Sequence, residues 1–120
     1  MKFCWSTIMV KNMEESLDFY QGIVGLETNR RFSPREGMDI AFLGNGETQI
    51  ELIRNGFENE LTMGKGISLG FETESIDELT KMLEEKGIEV IGGPFQPNQH
   101  IKYIFVLDPN GLRIQFVENM

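Results

Sequence analysis

Cysteine and histidine each occur once, as Cys4 and His100, in a chain of 120 residues. A single thiol closes no internal disulfide, so a disulfide-stapled scaffold is excluded. A single imidazole means that any metal or acid–base site must be built mostly from other side chains. Basic residues are also scarce: 11 Lys and Arg stand against 19 Asp and Glu, a net charge of −8. Such a charge repels phosphate backbones, which argues against a nucleic-acid partner, and attracts small cations. No apolar run reaches the roughly 20 residues of a membrane helix, and low-complexity tracts are absent, so no membrane partner is expected. The opening MKFCWSTIMV is too short and too mixed for a secretory signal, and a cytoplasmic setting is expected.

What the chain does contain is an internal repeat. Residues 40-IAFLGNGETQIELI-53 align with 104-IFVLDPNGLRIQFV-117 at an offset of 64, pairing Ile40 with Ile104, Leu43 with Leu107, Ile50 with Ile114 and Glu51 with Gln115. Each reads as strand, turn, strand, with Asn45-Gly46 and Asn110-Gly111 supplying the positive φ of a tight hairpin. The helices repeat at an offset of 63: Asn12 with Glu15, and Ser75 with Glu78, have capping-box spacing. Met13, Leu17 and Tyr20, then Ile76, Leu79 and Leu83, recur at helical spacing and should face a sheet, and Gly25 and Gly87 suit the helix ends.

Each half therefore reads βαβββ, with strands expected at 3–10, 27–33, 38–44 and 48–54, then at 66–72, 88–92, 101–107 and 112–118. The expected architecture is one α+β domain over 1–120. Two tandem βαβββ modules, about 1–58 and 64–120, would form a curved mixed sheet around a cleft, joined by the polar linker 54–66. Alternation turns Ile50 and Leu52 toward the helix side and Gln49, Glu51 and Ile53 toward the cleft; by the repeat, Arg113, Gln115 and Val117 follow. In the first strand either Phe3, Trp5, Thr7 and Met9 or their even-numbered neighbours face the cleft, and periodicity leaves both open.

The order of elements, with 8-IMVKNMEESLDFYQGIVGLE-27, 49-QIELI-53 and 108-DPNGLRIQFVE-118, resembles the glyoxalase/bleomycin resistance/dioxygenase superfamily, the vicinal oxygen chelate proteins, over nearly the whole chain. The resemblance implies a homodimer with a small-molecule ligand in the cleft. Metal-dependent members of that superfamily draw ligands from the first and last strand of each module, usually histidine, glutamate, histidine and glutamate. Carried over, those positions fall on Trp5, Glu51, Gly66 and Gln115. Only Glu51 is a strong ligand, and Gln115 stands where a carboxylate has lost its charge. A divalent ion wants about four imidazole, thiolate or carboxylate donors, so neither a metal nor another cofactor is expected.

Three readings of function are open under the resemblance. The first is metal-independent binding of a small molecule, of the antibiotic- or toxicant-sequestering type, by Trp5, Thr7, Glu51, Ser68, Arg113 and Gln115. The second is a lyase or isomerase of the lactoylglutathione lyase type, or a dioxygenase-like enzyme, with Glu51 as general base and Zn, Ni, Mn or Fe bound. A closed-cleft dimer of structural or regulatory role is a third. Trp5 either stacks on a planar ligand or plugs the cleft; Glu51 is either a base or a carboxylate paired with Arg113 or with solvent. His100, after the proline-rich 94–99, either touches substrate or sits in an exposed loop. Arg30, Arg31 and Arg35 either hold an anion or charge a strand edge. Phe32, Phe42, Phe57, Phe95 and Phe105, with Met38 and Met63, suffice for an apolar wall.

Overall fold

Two successive units, Met1–Thr62 and Met63–Met120, make up the computed structural model, which describes residues 1–46, 48–57 and 60–120. The first runs β1 (Ser6–Met9), α1 (Met13–Gly22), β2 (Thr28–Phe32), β3 (Met38–Leu43) and β4 (Ile50–Asn55), in sheet order β1-β4-β3-β2. The second runs β5 (Ser68–Glu72), α2 (Ile76–Glu85), β6 (Gly92–Asn98), β7 (Ile101–Leu107) and β8 (Arg113–Asn119), in order β5-β8-β7-β6. Each unit is thus α+β and βαβββ. Its first strand lies parallel to its last, and the other pairs are antiparallel, joined through short turns.

The helices start where the side chains at their caps accept backbone protons. Asn12 Oδ1 accepts from the Glu15 N–H at 2.9 Å, and Ser75 Oγ from the Glu78 N–H at 3.2 Å. Glu118 of β8 adds a second anchor, its Oε1 accepting from the Ile76 N–H at 2.7 Å. Met13, Leu17 and Tyr20 of α1 are buried, as are Ile8, Leu43, Ile50 and Leu52 of its sheet. In the second unit Ile76, Leu79 and Leu83 are buried together with Ile104, Val106, Ile114 and Phe116, and α2 packs on β7 and β8. Each such side chain contributes about 1.5–3 kcal/mol by leaving water, which makes the helix-side face of each sheet its core.

Three expectations need correction. β1 begins at Ser6 rather than residue 3. The second strand of the second unit is Gly92–Asn98, not 88–92, so the proline-rich stretch is strand rather than loop. Pro94 and Pro97 are tolerated there because β6 is the sheet edge, where a missing N–H breaks no ladder, and its pairing with β7 shifts register between Gly92 and Phe95 and between Phe95 and Asn98. The repeat is also one residue out of step along β3 and β7. Glu51 pairs with Phe42 and Gln115 with Phe105, so Phe42 corresponds to Phe105 at an offset of 63, while Glu51 and Gln115 keep 64. The extra residue lies in the β7–β8 turn. Fully buried Ala41 and Leu43 then match fully buried Ile104 and Val106.

The linker is shorter than expected at its start, because β4 continues through Asn55. Its Glu58 and Asn59, and Glu47 in the β3–β4 turn, lie outside the described residues.

Candidate functional site

Register settles which residues of the first unit share the face opposite α1. Thr7 pairs with Glu51 across β1 and β4, Glu51 with Phe42 across β4 and β3, and Phe42 with Arg30 across β3 and β2. Opposed residues of neighbouring strands share a face, so Thr7, Glu51, Phe42 and Arg30 form one row. The odd-numbered side of β1 belongs to it, and even-numbered Ile8 is buried beneath.

Along this row Thr7 Oγ1 donates to Glu51 Oε1 at 2.7 Å. The guanidinium of Arg30 sits 4.5 Å from the centroid of the Phe42 ring and 5.4 Å from that of Phe32, and the two rings stack at 6.5 Å. Trp5 precedes β1, meets Phe42 edge-on at 5.1 Å and stays 43% exposed. Half-exposed Glu51 therefore neighbours the buried Phe42 ring, against which Trp5 and Phe32 stay exposed.

Strand alternation separates two adjacent arginines. Arg31 points the other way, donating to Asp39 at 2.7 Å and to Glu14 of α1 at 2.7 Å, and these carboxylates hold its guanidinium firmly charged. An exposed pair of this kind stabilises by at most about 1 kcal/mol, and it ties the edge strand to the helix. Arg30 was indistinguishable from Arg31 and Arg35 by composition; the signal that separates it from Arg31 is parity on β2.

The corresponding face of the second unit carries Gly70, Gln115 and Phe105 in one row and Ser68, Arg113 and Leu107 in the next. A Cβ on Gly70 would lie 3.8 Å from Gln115 Oε1, so the glycine leaves open space beside the amide. Arg113 lies 4.0 Å over the Phe105 ring. Phe95, Tyr103 and Phe105 form an aromatic cluster with centroids 5.4–6.5 Å apart. Gly66 precedes β5 and is exposed. His100 is in the exposed turn between β6 and β7, where its carbonyl accepts from the Met120 N–H.

Sequence comparison gives this geometry a family. The sequence model of the Glyoxalase/Bleomycin resistance protein/Dioxygenase superfamily matches residues 3–116. The chain belongs to that superfamily. It is 29% identical, over 98% of its length and 91% of the relative's, to a lactoylglutathione lyase of Neisseria meningitidis serogroup A. Among solved structures, a glyoxalase family protein from Bacillus cereus superposes with a TM-score of 0.86 at 19% identity, covering 100% of this chain and 95% of that one. TnmS3, an antibiotic binding protein from Streptomyces sp. CB03234, superposes with a TM-score of 0.73 at 19% identity, covering 97% and 93%. These two structural likenesses concern the fold.

The superfamily's metal-dependent pattern does not fit the residues present. Trp5 and Gly66 carry no donor, Gln115 carries a neutral amide, and Glu51 already accepts from Thr7. Among the described residues no three His, Cys, Asp or Glu side chains come together as a divalent ion needs.

Proposed function

We propose that the chain is a metal-independent, small-molecule-binding member of the superfamily, of the antibiotic- or toxicant-binding type, acting as a cytoplasmic homodimer. The observation that carries this reading is the composition of the Glu51 face: exposed aromatic rings and one hydrogen-bonded carboxylate, in place of a donor set. Trp5 acts as a stacking platform for a planar ligand, with its edge contact to Phe42 fixing the plane of the indole. Glu51, oriented by the Thr7 hydroxyl, supplies a negative charge to a cationic group. On the second unit's own face, Ser68, Arg113 and Gln115 are the ligand-binding residues.

Trp5 is the only tryptophan, so quenching of its emission reports this face alone. Ethidium, a planar aromatic cation, should quench it saturably. Trp5→Ala should weaken ethidium binding by about tenfold in calorimetry, the equivalent of about 1.4 kcal/mol and within the range of ring stacking. Saturable ethidium binding of unchanged affinity in that variant would sink the platform. Light scattering at micromolar concentration should give twice the chain mass; a monomer would remove the dimer from the proposal.

A second reading is a lyase resembling lactoylglutathione lyase, favoured by the Neisseria relative and by the presence of Glu51 itself. Glu51 would then withdraw a proton adjacent to a carbonyl, and a separate electrophile would be required to stabilise the enolate. Nickel-dependent conversion of the methylglyoxal–glutathione hemithioacetal, together with a raised melting temperature on adding nickel, would establish that reading over the first.

A further inference from the structure

Acids outnumber bases in this chain, yet among the described residues two basic ones line one cavity without an acid. The cavity, of about 280 Å³, takes its described lining from the second unit, among it Met63, Lys65, Ile91, Leu107 and Arg113. Among the described residues the ion pairs are Arg31 with Glu14 and Asp39, and Lys102 with Asp77. Lys65 and Arg113 belong to none of them. Arg113 rests against the Phe105 ring, which covers the guanidinium without taking any of its N–H donors in a hydrogen bond. Opposite in character are Ile91 and Leu107, 47% and 45% exposed. Leu107 is the register partner of Arg113, so apolar and cationic walls stand side by side.

We infer that Arg113 and Lys65 recognise a small organic carboxylate whose apolar tail lies against Ile91 and Leu107. A guanidinium presents a planar fork that matches a carboxylate in two parallel hydrogen bonds, and a nearby ammonium adds a point charge. Cavities that hold drug-sized ligands span about 300–1,000 Å³, so this one, just below that range, suits a smaller molecule. The overall charge of −8 opposes an anion at long range. In physiological salt that opposition fades within about 8 Å, and the two adjacent cations dominate contact. The inference rests on the reading of the Arg113 face as ligand-facing, and names the chemistry found there.

The test is calorimetric titration of the full chain with sodium hexanoate, hexan-1-ol, hexylamine and inorganic phosphate. Hexanoate should bind saturably, with hexanol and phosphate each at least about tenfold weaker and hexylamine without measurable affinity. Arg113→Gln should lower hexanoate affinity about tenfold and Lys65→Gln about threefold. Leu107→Asp, at an exposed position, should abolish it while the circular dichroism spectrum stays that of the parent. Hexanol binding as well as hexanoate, phosphate binding as well as hexanoate, or unchanged affinity in Arg113→Gln would each overturn the inference, and so would no hexanoate binding. A chain that binds hexanoate and ignores ethidium would sink the Trp5 platform and leave the carboxylate site standing, and the reverse result would do the opposite.

Discussion

Gly44→Ala should destabilise the protein by more than about 3 kcal/mol, while Gly46→Ala, two residues on in the same turn, should cost about 1–2 kcal/mol. Both glycines have positive φ, +83° and +61°, so both substitutions incur the left-handed penalty. Only Gly44 is also enclosed. A Cβ there would stand 1.8 Å from the Thr48 carbonyl oxygen, whereas at Gly46 it would meet nothing within 4 Å. The Thr48 carbonyl is backbone and has no rotamer by which to withdraw. Gly44 is further held from both sides, its N–H donating to the Glu27 carbonyl at 2.8 Å and its own carbonyl accepting from the Asn29 side chain. Relief therefore means displacing the β2–β3–β4 connections together. Against a typical total stability of about 5–15 kcal/mol, the loss should lower the thermal midpoint by about 10 °C or more. Melting both variants by circular dichroism checks this directly. Equal, small losses would mean that the hairpin rearranges to admit a methyl group.

That contrast also marks a limit of sequence reasoning. The dipeptide Asn45-Gly46 signals a turn because its residues adopt positive φ readily, yet the sterically indispensable glycine is Gly44, whose need arises from a carbonyl four residues later. Element type and order were legible because helix caps, apolar spacing and strand alternation are local. Asn12 and Ser75 accept where their spacing said they would, and Ile50, Leu52, Ile114 and Phe116 are buried as parity requires. The displaced second strand of the second unit was not legible. Its prolines read as loop, and only an edge position in the sheet makes them compatible with a strand. The one-residue slip between β3 and β7 was hidden for a related reason, since Ile40 and Ile104, or Leu43 and Leu107, are equally apolar in either register, and only the pairing partners distinguish them.

The candidate site was legible by position and less so by contact. Alternation placed Glu51, Arg113 and Gln115 on one kind of face, but the partner of Glu51 is Thr7, which sits opposite it in a parallel ladder that no local pattern announces. Arg113 lies over Phe105 within its own unit. The two units thus repeat a motif that composition hides: an arginine over the phenylalanine that pairs with the last strand, Arg30 on Phe42 and Arg113 on Phe105. The arginines come from non-equivalent strands, β2 and β8, so the likeness lies in the face produced rather than in the aligned sequence. A face built this way suits planar and charged ligands better than it suits a metal ion.

Asp108→Ala should cost about 3–4 kcal/mol without removing any group assigned to ligand binding, and Asp108→Asn about half as much. Asp108 is buried, only 4% exposed, and it is the hub of the β7–β8 turn. Its Oδ1 accepts from the backbone N–H groups of Asn110 and Leu112, each at 2.8 Å, and its Oδ2 accepts from Asn110 Nδ2 at 3.2 Å. Alanine would strand the two backbone donors in a buried turn, each costing about 1–3 kcal/mol, less what water recovers on entering the space. Asparagine keeps one carbonyl oxygen for both backbone donors, but turns an N–H₂ group toward the Asn110 amide where an acceptor stood. Urea denaturation of the three proteins orders these costs, and hexanoate and ethidium titrations of the folded variants separate them from function. Parent-like affinity with reduced stability would identify the DPNG turn as scaffold. It would follow that the most recognisable motif of the chain explains its fold, while its ligand chemistry lies on the strand that the turn introduces, at Arg113 and Gln115.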